Sequence, residues 1–268
     1  MMATRRDTKA GRFYEIDGEL YPSVTHVLSV IAKPALVAWA ANTERALVVD
    51  AAADLYLDTQ TIKAPMSRPA YISTLESRLG KTKAHQKELA KAADIGTQAH
   101  QAIEHHFHVA LGHKVGPEPR LTDKSLWAFM AFEDWAREHH VKPVLIENTV
   151  WHTGLRYAGT LDLVAEVDGD LAVVDFKTGK GIYAEAHLQN AAYQTALASM
   201  GHQPISTGYI VRLPKRDDDP AFEVQRTPPA ETLMPTFEAA LRVWQWWHAE
   251  EQASKARWMA AKNQEAAS

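Results

Sequence analysis

The sequence contains no cysteine. Disulfides, thiolate zinc sites, cysteine-ligated iron–sulfur clusters and cysteine nucleophiles are therefore excluded. No apolar run approaches the roughly 20 residues that a membrane-spanning helix needs. The opening "MMATRRDTKAGR" is basic and carries no apolar segment, so it does not read as a secretory signal. The expected location is cytoplasmic, with no membrane partner. Positive charge is also scarce. The formal net charge is −4, so a nucleic acid would have to be gripped by a local patch rather than by the whole surface. Other signatures are missing too. "LGKTK" at 79–83 contains Gly-Lys-Thr, but the first glycine of a phosphate loop would fall on Leu75, so no ATPase motor is expected. There is no Gly-x-Ser-x-Gly elbow and no His-Glu-x-x-His helix.

What is present is enough to build a sizeable core. The chain has 268 residues, 46% of them hydrophobic, which suits one large domain or two small ones. After the basic tail, "RFYEIDGELYPSVT" reads as a hairpin turning at Asp17-Gly18. "SVTHVLSVIA" opens a helix with Ser23 or Thr25 as its cap. A long alanine-rich helix follows Pro34, and "TIKAPMSRPA" breaks it. Residues 70–111 read as helical, in two pieces meeting near Gly96. "DKSLWAFMAFEDWAREHH" is amphipathic, with Trp127, Phe129, Met130, Phe132 and Trp135 on its apolar side. The period then changes from 3.6 to 2. "PVLIENTVWHT", "RYAGTLDLVAEV" and "LAVVDFKT" read as strands, "AEAHLQNAAYQTALASMG" as a helix ended by Gly201, and "ISTGYIVRLP" as another strand. "FEVQRTP" is its candidate partner across "KRDDDPA". A last helix starts near Pro229, and its end is expected to fray. Its "WQWW" at 244–247 reads as core, with stacking on bases as the second possibility. Helices first, then a sheet with inserted and closing helices, give an α/β (α+β) class with a mixed central β-sheet flanked by helices.

One hairpin poses a question. "YAGTLDLVAEVDGDLAVVDFKTGKGIY" places Asp162, Asp175 and Lys177 inside apolar runs. With Asp168-Gly169 as a two-residue turn, Val167 faces Asp170, and Asp162 faces Asp175. Lys177 shares the face of Asp175. Opposed Cβ atoms lie about 5 Å apart, so at an effective dielectric near 20 two carboxylates repel by roughly 3 kcal/mol. A divalent cation between them reverses the sign, and hard oxygen ligands suit magnesium or manganese. The other reading is a solvent-facing side of a half-buried hairpin with an ordinary Asp–Lys pair.

These residues resemble the core of the PD-(D/E)XK nuclease superfamily, where an Asp on one strand precedes an Asp/Glu-x-Lys on the next: here "GTLD" and "DFK". "GTQAH" at 96–100 is similar to the upstream Gly-Thr-x-x-His helix of the RecB-type and phage-type exonuclease branch. "QNAAY" at 189–193 is similar to that branch's Gln-x-x-x-Tyr motif. The motifs occur in the family's order, and the resemblance covers roughly residues 90–215. It implies a restriction-endonuclease-like core at 90–268, preceded at 1–89 by an arm, a hairpin and a helical region.

The resemblance also implies roles. His100, Asp162, Asp175 and the backbone carbonyl of Phe176 would be metal ligands for Mg2+ or Mn2+. Lys177 would act on the attacking water and the scissile phosphate. Gln189 and Tyr193 would contact DNA or position the site. Glu147, in "LIENTV", stands where many members carry an acid. Without the resemblance, His100 in "HQAIEHHFHVALGH" reads as part of a solvated helix face. The implied activity is a metal-dependent DNA exonuclease of recombination, repair or phage DNA processing, in a bacterium or a phage-infected host cell. The alternatives are an endonuclease of the same fold or an idle nucleic-acid-binding module. The absence of cysteine excludes the iron–sulfur relatives. DNA is the expected partner, held by Arg5, Arg6, Lys9, Arg12, Arg156 or Lys180. A single-strand annealing or binding protein is a further expected partner, and the oligomeric state stays open.

Overall fold

The structure is a computed structural model that describes residues 3–62, 66–216, 218–219 and 221–267. Strands β1 (Ala3–Thr8), β2 (Gly11–Ile16) and β3 (Glu19–Pro22) form an antiparallel sheet in that order. The β2–β3 hairpin turns at Asp17-Gly18 as expected. Both residues have positive φ, 49° and 81°, which an Asp-Gly pair tolerates. Strand β1 was not expected. Its sequence shows no apolar alternation, because ion pairs to β2 hold it instead: Arg6–Glu15 at 2.7 Å and Arg12–Asp7 at 3.0 Å. Ser23 then caps α1 (Val24–Val27), its hydroxyl accepting the His26 N–H at 3.0 Å.

Three helices follow: α2 (Pro34–Ile62), α3 (Arg68–Leu79) and α4 (Ala84–Ala110). Part of the break expected at "TIKAPMSRPA" lies outside the described residues. The second break falls at Gly80, not near Gly96. Gly80 has φ 68° and donates its N–H to Glu76 O, closing α3 in a backbone state that glycine adopts without strain. Gly96 lies inside α4, where alanine-rich neighbours absorb a penalty of about 1 kcal/mol.

The remaining elements are α5 (Asp123–Glu138), β4 (Lys142–His152), β5 (Tyr157–Val167), β6 (Asp170–Lys177), α6 (Ala184–Ser199), β7 (Thr207–Arg212), β8 (Glu223–Arg226) and α7 (Ala230–Ala267). The five strands run β4-β5-β6-β7-β8, antiparallel throughout except for the parallel β6–β7 pair. Helix α6 makes the crossover that a parallel pair requires. This is the mixed central sheet the patterning predicts. The "KRDDDPA" turn lies partly outside the described residues.

Contacts divide the chain into one unit of residues 1–31 with 98–268 and a second of residues 32–97. The division at 89/90 expected from the sequence differs. The opening hairpin belongs with the large sheet, tied to β5 by the Ser23–Ala158 bridge and by Tyr14 OH···Thr160 Oγ1 at 2.9 Å. Within the smaller unit, His85 Nδ1 meets Glu44 at 2.7 Å, and Tyr71 OH donates to Ala52 O at 2.8 Å.

Each face of the large sheet carries its own core. On one side Val150, Tyr157, Leu161 and Val173 pack with α6 and α7 through Tyr193, Leu197 and Phe237. On the other, Leu163, Val174 and Phe176 pack with α4 and α5 through Ile103, Phe107, Phe132 and Trp135. The apolar side of α5 is narrower than the sequence suggested, since Trp127 and Met130 stay exposed. Of "WQWW" only Trp244 is buried; Trp246 and Trp247 face outward. Helix α7 runs to Ala267.

Candidate metal centre and active site

The β5–β6 hairpin turns at Asp168-Gly169, with φ values of 51° and 92°. Its ladder runs from Val167–Asp170 to Leu163–Val174, in the predicted register. It stops one step before the aspartates, so Asp162 and Asp175 do not form the direct cross-strand pair expected. The reason lies in β5. Tyr157 and Leu161 point into the α6-side core, whereas Leu163, Ala165 and Val167 point into the other. The strand exchanges faces at Asp162. Strand β4 does the same beside it, with Val150 in the first core and Ile146 against the second. At that exchange Glu147 has φ 46°, a left-handed state that costs a non-glycine residue on the order of 1–3 kcal/mol. The flanking pairs Ile146–Leu163 and Asn148–Leu161 set Glu147 opposite Asp162. The bent Asp162 turns one carboxylate oxygen onto the Phe176 amide, which donates at 2.7 Å. Three adjacent strands thus each contribute one acid: Glu147, Asp162 and Asp175.

Helix α4 adds His100. Its Nδ1 lies 3.5 Å from Asp162 Oδ1 and 3.7 Å from Glu147 Oε1. One ligand atom from each of the three residues lies within 4.8 Å of the others. The ring of His100 meets Phe176 edge-on, which ties it to the core below. Burial works against a charged imidazole here, yet Asp162 and Glu147 outweigh it and raise the His100 pKa to about 10. Asp162 is pushed up by burial, but His100, Lys177 and the Phe176 amide bring it below the ordinary carboxylate range. Glu147 is raised, by burial first, with His100 opposing and Asp162 adding. The two carboxylates thus favour positive charge at this point. Imidazole nitrogen with carboxylate oxygens is a donor set that takes a divalent metal when the imidazole is neutral.

Asp175 adjoins this cluster on β6. It is 1% exposed, and neither carboxylate oxygen receives a hydrogen bond of good geometry. Among the described residues its ion-pair partner is Lys177, with Nζ 2.6 Å from Oδ2. Burial pushes Asp175 up to about 6; Lys177 opposes the rise and Asp162 adds to it. Burial disfavours the Lys177 ammonium, but Asp175 and Asp162 outweigh that and raise its pKa. A buried carboxylate with no hydrogen bond of good geometry, beside a set of ligands, fits a site that a cation completes. The residues present therefore suit a divalent metal, with His100, Glu147 and Asp162 grouped and Asp175 next to them.

Lys177 Nζ also donates to Gln189 Oε1 at 3.1 Å, and Gln189 Nε2 donates to Tyr193 OH at 3.1 Å. The two helix residues, one turn apart, thus reach the ammonium as a chain. Burial, then Asp175 and Asp162, hold Tyr193 well above the usual phenol range, so it stays a neutral hydroxyl. Gly159 makes room for it: a Cβ there would sit 2.5 Å from the tyrosine ring.

The proposed DNA-holding arginines are engaged with acids. Arg5 and Arg12 pair with Asp7, Arg6 with Glu15, and Arg156 with Glu19 at 2.9 Å, with Arg156 also over the Tyr21 ring. Two features escaped the sequence reading. The first is the bend that aligns Glu147. The second is a set of buried amides on α6, Asn190 and Gln194. Polar residues recurring beside Gln189 and Tyr193 in an alanine-rich helix were the available signal.

Solved structures that this chain resembles include an alkaline exonuclease (LHK-Exo) from Laribacter hongkongensis, at 16% identity and TM-score 0.35, covering 50% of this chain and 70% of that one. LHK-Exo in complex with dAMP is similar at 14% identity and TM-score 0.35, covering 69% and 89%. SSO0001 is similar at 12% identity and TM-score 0.28, covering 56% and 74%. No curated protein matches the chain. A sequence model of the PD-(D/E)XK nuclease superfamily matches residues 70–267, which takes in α4, α5, the five-stranded sheet and the whole candidate site. On that match, over well more than half its length, the chain belongs to the PD-(D/E)XK nuclease superfamily.

Proposed function

We propose that the protein is a divalent-metal-dependent deoxyribonuclease that degrades DNA from its ends. The observation that carries this reading is the junction of two groups. A His100–Glu147–Asp162 cluster adjoins a buried Asp175 that pairs with the Lys177 ammonium at 2.6 Å. His100, Asp162, Asp175 and Glu147 would hold Mg2+ or Mn2+, with the Phe176 carbonyl as a further ligand. When bound, such an ion supplies Lewis acidity to a phosphate oxygen and a lowered pKa to a water. Lys177, kept protonated by two carboxylates and aimed by Gln189, offsets negative charge developing on the scissile phosphate. Tyr193 and Gln189 position that ammonium and the DNA backbone beside it. The expected product carries a 5′-phosphate. Action from ends rests on the Gln189-x-x-x-Tyr193 resemblance. The same resemblance points to recombination, repair or phage DNA processing in the cytoplasm of a bacterium or infected host, with a single-strand annealing or binding protein as partner.

The test is a nuclease assay on end-labelled linear duplex, linear single strand and closed circular duplex, with magnesium, manganese or chelator. Linear DNA is expected to be degraded only with metal, and circles to persist. Lys177→Ala is expected to lose at least about a hundredfold in rate. Equal cleavage of circles would replace the exonuclease by an endonuclease. Activity surviving in chelator, or a Lys177→Ala variant of wild-type rate, would defeat the chemistry proposed.

A further inference from the structure

Helix α6 lies against the sheet with four polar side chains buried at the contact. Gln189, Asn190, Tyr193 and Gln194 are 9%, 0%, 3% and 4% exposed. Gln189 and Tyr193 belong to the chain that reaches Lys177. The side-chain hydrogen bonds of Asn190 and Gln194 run instead to strand carbonyls and to each other. Asn190 Nδ2 donates to Val173 O at 3.0 Å on β6 and to Tyr209 O at 3.4 Å on β7. Gln194 Nε2 donates to Asn190 Oδ1 at 2.7 Å. The close approach is possible because β7 carries Gly208 at that point. A Cβ there would lie 2.2 Å from Asn190 Oδ1 and 2.6 Å from Gln194 Nε2.

The placement matters because of what adjoins it. Val173 lies on the same strand face as Asp175 and Lys177, since side chains alternate. Asn190 follows Gln189 directly in α6. One amide therefore fixes the helix to the strand that carries Lys177, next to the residue that receives the Lys177 hydrogen bond. Apolar packing alone sets helix-to-sheet distance but leaves sliding along the strand only weakly specified. Hydrogen bonds to the carbonyls of two neighbouring strands specify it, because each donor–acceptor geometry is narrow. We infer that Asn190, braced by Gln194 and admitted by Gly208, is a positioning residue that holds Gln189 in register over Lys177. The inference rests on the nuclease reading, in which Lys177 acts at the phosphate.

The test compares Asn190→Leu, Gly208→Ala and Gln194→Met with wild type in single-turnover cleavage of linear duplex. Val150→Ala, a core change on the same side of the sheet, serves as the stability control. DNA affinity is measured by anisotropy in chelator. The expected result for Asn190→Leu and Gly208→Ala is a rate constant lower by at least about tenfold, as for a misplaced catalytic group. DNA affinity is expected to stay within about threefold of wild type. Val150→Ala, at equal or greater loss of melting temperature, is expected to keep its rate constant and lose only reaction amplitude. A crystal structure of Gly208→Ala is expected to show the 3.1 Å Lys177–Gln189 contact broken. Gly208→Ala keeps every hydrogen-bonding group, so it carries the comparison if Asn190→Leu does not fold; Gln194→Met, the mildest change, carries it if neither does. A wild-type rate constant in the folded variants, an equal fall in Val150→Ala, or an intact Lys177–Gln189 contact in the crystal would each overturn the inference. A wild-type protein that cleaves no DNA with either metal refutes the nuclease reading itself, and the crystal structure still decides whether the amide sets the contact.

Discussion

Neutralising Asp175 without changing its shape separates a metal site from a structural ion pair. In the metal-free protein Asp175 is buried, has no hydrogen-bond donor of good geometry among the described residues, and forms an ion pair with Lys177. Its pKa rises from an ordinary 3.8 to about 6, burial being the main cause. The folded chain therefore binds this proton more tightly than the unfolded chain does. Stability present at low pH is lost as the pH climbs from about 4 to about 6, and it stays lost above that window. The difference corresponds to on the order of 3 kcal/mol against the charged carboxylate at neutral pH. Asp175→Asn removes that charge. Lys177 keeps Asp162 and Gln189 Oε1 as partners, so it is not stranded. The metal-free variant is expected to gain about 2 kcal/mol at pH 7.5, or roughly 4–8 °C in melting temperature for a chain of this size. Thermal melts followed by circular dichroism, with chelator and then across a millimolar magnesium series, make the measurement. Magnesium is expected to raise the wild type by about 2.7 kcal/mol at a hundredfold excess over its dissociation constant, and the variant hardly at all. A structural ion pair predicts the reverse. Breaking it would cost about 3–5 kcal/mol, with the same magnesium response in both proteins. That outcome would refute the reasoning.

Two further outcomes follow from the geometry. Glu147→Gly is expected to raise metal-free stability by about 1 kcal/mol, since glycine adopts the φ of 46° without strain. It should also cut activity at least about tenfold, measured by melting and by the linear-DNA assay; a variant both less stable and fully active would contradict the placement of Glu147. Gly159→Ala is expected to displace Tyr193, whose ring lies 2.5 Å from the added carbon. A destabilisation of about 1–3 kcal/mol with reduced turnover should follow, and a neutral result in both would mean the ring moves freely.

The sequence disclosed most where its signals were local. Asp168-Gly169 defined a turn, and the turn fixed the ladder through Leu163–Val174. The change of period at "PVLIENTVWHT" separated the helices from the sheet, one residue after β4 begins, and Gly201 followed the end of α6. Less was readable where the cause was distant or lay in the backbone. No residue type announces that β4 and β5 exchange faces at Glu147 and Asp162, because each strand there still reads as alternating. Strand β1 was hidden because ion pairs, not apolar residues, attach it. Gly80 and Gly96 look alike in sequence, and only the backbone φ of Gly80 tells the cap from the helix interior. Trp244 and Trp247 lie close on α7, yet one is buried and the other exposed, which depends on the neighbouring β2 and α1 side chains rather than on the helix itself. Glu147 and Asp162 lie on consecutive strands, but His100 comes from α4, and apart from the family resemblance nothing in the sequence placed it beside them.

The exchange of faces in β4 and β5 acts as a gauge on strand alignment. A slip of one residue would turn Val150 and Ile146 out of their two different cores at once. The same slip would carry Glu147 away from Asp162. Folding cannot satisfy both layers of apolar side chains without also lining up the two acids. Proofreading of the carboxylate alignment is thus delegated to water-avoiding groups, before any cation arrives to sense it. Insertions between residues 146 and 163 should accordingly be tolerated only in the turn at 153–156, outside the paired positions.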